Sequence, residues 1–218
     1  MNDIELLATL ESRRSGYVFL SQVYAREVTL DFLRKLRDAP QGVDRMLKEF
    51  TERLKGSDLR EVELELATEY AALFLNVGKY PVFLFESVYT SKEKLLMQEA
   101  RDEVLSEYRK EGLDKIEGFK EPEDHIAIEL EFMSYLCQKT IDSIKNSDSE
   151  TTLAYLNKQK DFLEKHLMVW VPAFCIDLEQ ATKSDFYQGI AKLTKNFMEV
   201  EEENLIQGGL IEHRIKSV

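Results

Sequence analysis

The stretch Glu121-Pro-Glu-Asp-His-Ile-Ala-Ile-Glu-Leu-Glu-Phe-Met133 has the pattern of a helix that begins in a turn and continues into a core. Pro122 suits the first helical position, where its missing N–H is no loss. Glu123 and Asp124 suit the positively polarised first turn. Four apolar residues then recur at helical spacing and share one face: Ile126, Leu130, Met133 and Cys137. We therefore predict a helix from Pro122 to about Lys145.

The rest of the chain repeats this periodicity between short breaks. Nine glycines and four prolines in 218 residues are too few for the many turns of a sandwich or barrel. We predict an all-α, single-domain bundle of roughly eight to ten helices over residues 1–218. The first predicted helix covers residues 3–26, the second runs from 29 to near 39–42, and the third follows it and ends at 55. The remaining predicted helices cover residues 59–75, 92–111, 122–145, 150–181 and 184–203, and Pro172 strains or breaks the one over 150–181. In the fourth helix, one face carries apolar residues at helical spacing: Leu64, Ala67, Ala71 and Phe74.

The charge balance restricts the partners. Twenty-nine Lys and Arg residues against 41 Asp and Glu residues give a net charge of −12, which repels nucleic acid and anionic lipid and favours a basic peptide. The longest run without formal charge, from His166 to Ile176, is far too short to span a bilayer. The first residues are acidic, unlike a secretory signal. We expect a cytoplasmic protein without stable membrane insertion, with Cys137 and Cys175 as free buried thiols.

Few residues suit catalysis. The chain has three histidines and no HExxH, GxGxxG, GxxxxGK or GxSxG motif. His125 and Glu129 lie one turn apart, but two ligands do not make a metal site. We predict no enzyme activity, no metal and no cofactor.

Polar residues inside apolar stretches are the best candidates for a site. Glu86 lies within Phe83-Leu-Phe-Glu-Ser-Val-Tyr89, which follows an apolar loop containing Pro81. Such a loop either packs into the core or lines a site, because loops normally face water. Asp124 and His125 precede the apolar helix face. Taken alone, the residues leave two interpretations open: structural carboxylates with a half-buried imidazole, or a binding site.

A resemblance to a known family favours binding. Glu69-Tyr-Ala-Ala-Leu-Phe74, the segment from Pro81 to Glu86-Ser-Val-Tyr89, and Glu121-Pro-Glu-Asp-His-Ile126 occur in the order seen in the TorD/DmsD/NarJ family of redox-enzyme maturation chaperones. Phe85 stands where many members have Trp, and Glu123 where Asp is commoner. The chain is thus similar to this family over most of its length.

The resemblance implies a TorD-like helical fold and a chaperone function. Such a chaperone holds the N-terminal twin-arginine leader of a molybdenum-cofactor oxidoreductase subunit and delays export until the cofactor is inserted. In this chain, Glu86 and Asp124 would attract the leader's arginines, and Tyr70, Phe74 and Phe85 would contact its apolar part. The residues expected to bind the peptide are Tyr70, Phe74, Pro81, Phe85, Glu86, Ser87, Tyr89, Pro122, Asp124 and His125.

Two alternatives accompany this hypothesis. The chain could be an assembly factor for the mature catalytic subunit of a molybdopterin oxidoreductase, without leader recognition. The other alternative is a helical enzyme or metalloprotein that uses Asp124, His125 and Glu129. The sequence leaves open the client, the branch of the family, nucleotide binding, and whether the protein is a monomer or a domain-swapped dimer.

Overall fold

The computed structural model describes residues 3–38, 47–115, 118–207 and 209–211. These ranges contain helices and loops and no strand, which confirms the all-α prediction. Ten α-helices are present in them, two of which are followed by a π-helical turn. They are α1 (Asp3–Ala25), α2 (Leu30–Asp38), α3 (Lys48–Gly56), α4 (Leu59–Phe74), α5 (Glu86–Thr90), α6 (Glu99–Lys110), α7 (Ile126–Lys145), α8 (Ser149–Phe162) with the π turn Leu163–Leu167, α9 (Met168–Ala181), and α10 (Asp185–Glu201) with the π turn Glu202–Ile206.

Several helix starts follow from local capping. The Asp58 carboxylate accepts the backbone N–H of Arg60 at the start of α4, and Asp148 accepts that of Thr151 at the start of α8. These contacts satisfy N–H groups that the first turn leaves free. The chain breaks at Gly56–Asp58, before α4, as predicted. The predicted end of the second helix lies outside the described residues.

Helices α1 and α7 pack together along much of their length. Tyr17 and Tyr24, on the inner face of α1, are fully buried. Arg13 donates two hydrogen bonds of 2.7 Å to the carboxylate of Glu201, which also accepts one of 2.5 Å from the Tyr17 hydroxyl. Because both charges are buried and paired bidentately, this contact joins α1 to the end of α10 in one arrangement.

The long helical run after residue 149 contains the predicted irregularity. Pro172 lies inside α9, and the chain forms the wider π turn Leu163–Leu167 just before α9 begins. Proline cannot donate a hydrogen bond to the carbonyl four residues earlier, that of Met168, and its ring crowds that group. The widened turn comes immediately before this carbonyl.

Two predicted helix starts are wrong. Helix α6 begins at Glu99 instead of residue 92, because Lys94 and Met97 adopt positive φ angles of 52° and 58°, which a helix excludes. Helix α7 begins at Ile126, so Pro122 is not its first residue. The residues between them form a turn that ends at His125, the N-cap of α7.

The apolar face of α4 noted in the sequence is not the face that enters the core. The residues of α4 that are buried in the core are Val62, Leu66, Tyr70 and Leu73. Leu64 is 70% exposed. Ala67, Ala71 and Phe74 are only partly buried. Helix α4 therefore has two apolar stripes, one in the core and one at the surface.

Candidate functional site

The apolar loop crosses the start of α7 and joins it by two backbone hydrogen bonds. The Glu86 N–H donates to the Asp124 carbonyl at 3.0 Å, and the Ile126 N–H donates to the Leu84 carbonyl at 2.8 Å. Phe85 and His125 face each other in this short antiparallel bridge. The two stretches singled out in the sequence thus meet in space.

The buried side chain of Asp124 stabilises the contact between the apolar loop and the start of α7. Its side chain is 0% exposed. Its Oδ2 accepts the Ser87 backbone N–H at 2.8 Å and also the Ser87 hydroxyl. The same hydroxyl oxygen accepts the Gln98 N–H at 3.2 Å. Asp124 therefore connects the start of α5 with the turn before α7, and Ser87 extends the connection to the residue before α6.

Two more buried carboxylates, Glu86 and Glu129, lie near Asp124. We call these three residues, with their partners Ser87, His166 and Trp170, the buried carboxylate cluster. Glu86 is 2% exposed, and its Oε2 lies 3.1 Å from Nδ1 of His166. Glu129 accepts the indole N–H of Trp170 at 3.1 Å. Burial, and next the nearby Glu86 carboxylate, raise the pKa of Glu129 well above its ordinary value. The cluster therefore favours a protonated Glu129.

His125 lies at the edge of the cluster and has no charge partner. Its Nδ1 accepts the backbone N–H of Ala127 at 3.1 Å, so it caps α7. The rings of Phe85 and Phe119 approach its ring with centroids 5.2 and 5.5 Å away. Burial lowers the pKa of His125 to about 3. The imidazole is neutral at pH 7 and serves as a cap and an apolar wall.

An open cavity of about 720 Å³, the first groove, lies on the other side of this junction. Its walls are the end of α1 with the residues that follow, one side of α4, the segment Leu84–Phe85, and the turn before α7. Four of the residues predicted to bind peptide line it: Tyr70, Phe74, Phe85 and His125. The exposed stripe of α4, with Leu64 and Ala67, forms another wall.

The acidic groups of the first groove are not those predicted. Glu86 and Asp124 face the interior, where partners inside the fold hold them. Three other acids line the groove with two arginines: Glu27, Glu63 and Glu121 with Arg26 and Arg60. Burial, and then the Glu121 and Glu27 carboxylates, raise the pKa of Tyr70 at the groove wall to about 12. The negative potential of the exposed acids therefore reaches the wall of the groove.

The remaining predicted site residues lie elsewhere. Ser87 belongs to the buried carboxylate cluster. Tyr89 packs beside Trp170, with ring centroids 5.4 Å apart. Pro81 and Pro122 are partly buried and are not among the residues that line the first groove. The sequence analysis missed Leu64, Glu27, Glu63 and Glu121. An apolar residue out of phase with the core stripe of α4 was the one sequence pattern that pointed to Leu64.

The described residues offer little for metal chemistry or membrane insertion. They contain no group of three or more His, Cys, Asp or Glu side chains that could hold a metal ion. The thiols of Cys137 and Cys175, both free, are buried, and burial raises the pKa of Cys137 to about 11. Within the described ranges, no helix combines the length and apolar character needed to cross a bilayer.

Fold and site together define a helical binding protein whose groove has an apolar wall beside exposed acids. Comparison with known proteins agrees with this class. The family model described as nitrate reductase delta subunit matches residues 36–176. A chaperone protein TorD of Vibrio cholerae is 30% identical over 216 residues, covering 92% of this chain and 95% of the relative.

Two further relatives extend the comparison. A chaperone protein TorD of Vibrio parahaemolyticus is 27% identical over 93% of this chain and 98% of its own. A solved structure assigned to redox enzyme maturation, from Archaeoglobus fulgidus, has a TM-score of 0.47 at 22% identity and covers 86% of this chain and 93% of its own. The chain belongs to the TorD/NarJ family of redox-enzyme maturation chaperones. Its class is that of a chaperone and not an enzyme.

Proposed function

We propose that this protein binds, in the cytoplasm, the N-terminal leader of a molybdenum-cofactor oxidoreductase subunit and holds it until the cofactor is inserted. The observation that carries the proposal is the first groove, where the apolar surface of Leu64, Phe74 and Phe85 lies beside the carboxylates of Glu27 and Glu121. Curated relatives of nearly full length are chaperones of this family.

The chemistry of a leader peptide matches this surface. A twin-arginine leader combines two adjacent cations with an apolar stretch, so its receptor needs acids beside an apolar groove. Burying two or three leucine-sized side chains contributes roughly 1.5–3 kcal/mol each. After the cost of ordering the peptide, this suits a dissociation constant on the order of micromolar. A chaperone that later releases its client needs no tighter binding.

The buried carboxylate cluster has a positioning role in this proposal. Asp124 and Ser87 hold the backbone of the apolar loop against the start of α7, and this contact orients Phe85 and His125 toward the first groove. The groups that bind the peptide and the groups that shape the site are therefore neighbours in sequence but different residues.

Exposed apolar residues favour a second candidate function. After α4 the chain exposes large apolar side chains: Leu75, which lines the first groove, and Val77, Tyr80 and Phe83, which do not. Patches of this kind mark interfaces with other proteins. An assembly factor that binds the mature catalytic subunit would use this loop instead of the first groove.

A calorimetric titration distinguishes the two functions. The injected ligands are the leader peptides of molybdenum oxidoreductases encoded in the same genome, and a mature catalytic subunit whose leader has been deleted. The proposal predicts one-to-one binding of one leader peptide and little binding of the leaderless subunit. Binding of the leaderless subunit, with no binding of any leader peptide, would overturn the proposal and favour the assembly factor.

A further inference from the structure

The buried carboxylate cluster holds more acidic groups than its surroundings can neutralise. Among the described residues, the single ion pair made by its three carboxylates is that of Glu86 with His166. Asp124 and Glu129 accept hydrogen bonds from neutral donors alone. All three carboxyl side chains are at most 2% exposed. Because an ionised carboxylate at this depth is costly without a cationic partner, at least one of the three is expected to hold a proton.

Glu129 is the carboxyl whose contacts call for that proton. Its Oε2 accepts the indole N–H of Trp170 at 3.1 Å, whereas its Oε1 is buried without a donor among the described residues. The Glu86 carboxyl lies within hydrogen-bond reach of the Glu129 carboxyl. Two ionised carboxylates only accept hydrogen bonds, so such a contact between them is repulsive. One proton on Glu129 turns the same contact into a hydrogen bond from its O–H to Glu86.

The helix on the other side of the cluster brings no cation to it. Tyr108 of α6 faces the cluster, and burial, followed by the three carboxylates of the cluster, raises its pKa well above the ordinary value. The phenol therefore stays neutral. Glu123 is the remaining acid near Tyr108, and it is held in its own ion pairs with Arg101 and Lys115.

We propose that Glu129 donates one proton to the Glu86 carboxylate, and that loss of this shared proton to water loosens the contact between α5 and α7. With the proton present, the two carboxyl groups attract each other across the junction. Without it, two buried negative charges repel each other. The repulsion acts on Glu86, whose neighbour Phe85 lines the first groove. The cluster is thus a pH-sensitive device that holds the apolar loop in place at lower pH and loosens it at higher pH.

The direction of the pH effect follows from proton linkage. The unfolded chain loses the Glu129 proton near the ordinary pKa of 4.5, while the folded chain retains it to higher pH because burial and the Glu86 carboxylate raise the pKa of Glu129. The stability that depends on the shared proton is therefore complete below that value and is lost as the pH rises through the pKa of the folded state.

The protein contains its own reporter for this proton. Trp170 is the only tryptophan of the chain, and its indole N–H is bonded to Glu129, so its fluorescence depends on the charge of that carboxyl. The titration runs from about pH 5 to about pH 9, which covers the values known for buried glutamates. Glu129→Gln keeps an acceptor for Trp170 but does not titrate. Glu131→Gln, at an exposed residue of the same helix, is the matched control.

We expect the Trp170 emission to change with pH in the wild type and in Glu131→Gln and to stay constant in Glu129→Gln. The infrared band of a protonated carboxyl should be present in the wild type at pH 7 and lost in Glu129→Gln. A further expectation rests on the proposed function: leader binding in calorimetry should weaken by about threefold across the wild-type transition and stay unchanged with pH in Glu129→Gln.

Three results would overturn the proposal. They are a transition that persists in Glu129→Gln, which would assign it to another group such as His166, the absence of any wild-type transition up to about pH 9, and the absence of the infrared band at pH 7. If Glu129→Gln does not fold, Glu86→Gln replaces it. Removing the neighbouring charge should move the transition to lower pH by about one pH unit, and an unchanged midpoint would then contradict the shared proton.

Failure of the proposed function gives a different pattern. If the fluorescence transition and the infrared band behave as expected but no leader peptide binds at any pH, the proposed function fails and the shared proton stands. If a leader binds equally well on both sides of the transition, the shared proton does not control the first groove, and this part of the proposal is wrong.

Discussion

The buried carboxylate cluster and the first groove are built from the same two short stretches, yet they contain different kinds of residue. Phe85 lines the groove, while its neighbour Glu86 enters the cluster. On the partner stretch, His125 lines the groove, while Asp124 enters the cluster. Successive side chains of an extended segment point to opposite sides. One pairing of backbone therefore supplies an internal anchor and an external binding surface.

The proposed function gives these buried carboxylates a positioning role without contact to the ligand. Three carboxylates and a histidine packed together inside the fold are costly to bury unless each finds a partner. Asp124 and Glu86 have such partners in Ser87 and His166. In the proposed function, their role is to position the loop, and Leu64, Phe85 and the exposed acids would bind the leader.

The largest expected effect is loss of stability from Asp124→Ala. The substitution leaves the buried N–H and hydroxyl of Ser87 without an acceptor, which costs about 3 kcal/mol. Urea unfolding should show the loss as a lower midpoint. Asp31→Ala, which removes an exposed acid paired with Lys35, is the control and should change stability by less than about 0.5 kcal/mol.

A different outcome would break the contrast between the two regions. If Asp124→Ala unfolds at the wild-type midpoint but binds leader peptide weakly, Asp124 acts as a ligand-binding group. The division between an internal anchor and an external groove would then be wrong.

The second largest expected effect is a loss of folding stability at acidic pH. Because the pKa of His125 is lowered to about 3 in the folded protein, the unfolded chain binds its proton first as the pH falls below 6.5. Stability is therefore fully present above pH 6.5 and declines toward pH 3, by about 2 kcal/mol at pH 5 from this group. His125→Asn keeps a capping acceptor but does not titrate. The variant should lose correspondingly less stability between pH 7 and 5 in urea titrations.

This prediction concerns how the free energy of unfolding changes with pH and not its absolute value. Asparagine is smaller than histidine and lowers stability at every pH. Equal slopes for wild type and variant would show that His125 is not held neutral in the folded state.

Leu64→Gln should separate binding from stability. Leu64 is 70% exposed, so its replacement should leave the melting temperature nearly unchanged. We expect leader-peptide binding to weaken by about fivefold in calorimetry, because the peptide loses an apolar contact in the first groove. Leu95→Gln, at a residue that is 55% exposed and outside the first groove, is the matched control. Equal weakening by both variants would point to a general effect of surface polarity.

The smallest expected effect is that of a single exposed acid. Glu121→Gln should weaken leader binding about twofold at low ionic strength and have little effect in high salt, since exposed charges are screened beyond about 8 Å at 0.15 M. Glu103→Gln, an exposed acid of α6 outside the groove, is the control. A salt-independent loss would assign the role of Glu121 to shape instead of charge.

The sequence predicted the helices well where local signals were strong. The break at Gly56–Asp58 follows from a capping residue, because the Asp58 carboxylate accepts the Arg60 N–H at the start of α4. Helix α10 also begins after Ser184 as predicted, although the Ser184 side chain makes no capping hydrogen bond. The start of α7 was misplaced because Pro122, Glu123 and Asp124 suit a first turn equally well. Tertiary pairing with the apolar loop instead makes His125 the cap.

The site was predicted less completely for a physical reason. Periodicity shows that α4 has apolar residues on more than one side, but it does not show which side meets the rest of the chain. The sequence alone therefore leaves open whether Leu64 faces the core or the surface. Likewise, the sequence marks Glu86 and Asp124 as unusual carboxylates, but only the fold determines that they point inward.

Photo-cross-linking would test most directly whether the first groove binds the leader. A benzophenone amino acid is placed at Leu64, in the first groove, and in separate proteins at Leu95 and Ile176, outside the first groove. Irradiation with a leader peptide should give a covalent adduct from position 64 and none from the other two. Adducts from position 95 or 176 with none from position 64 would contradict the account.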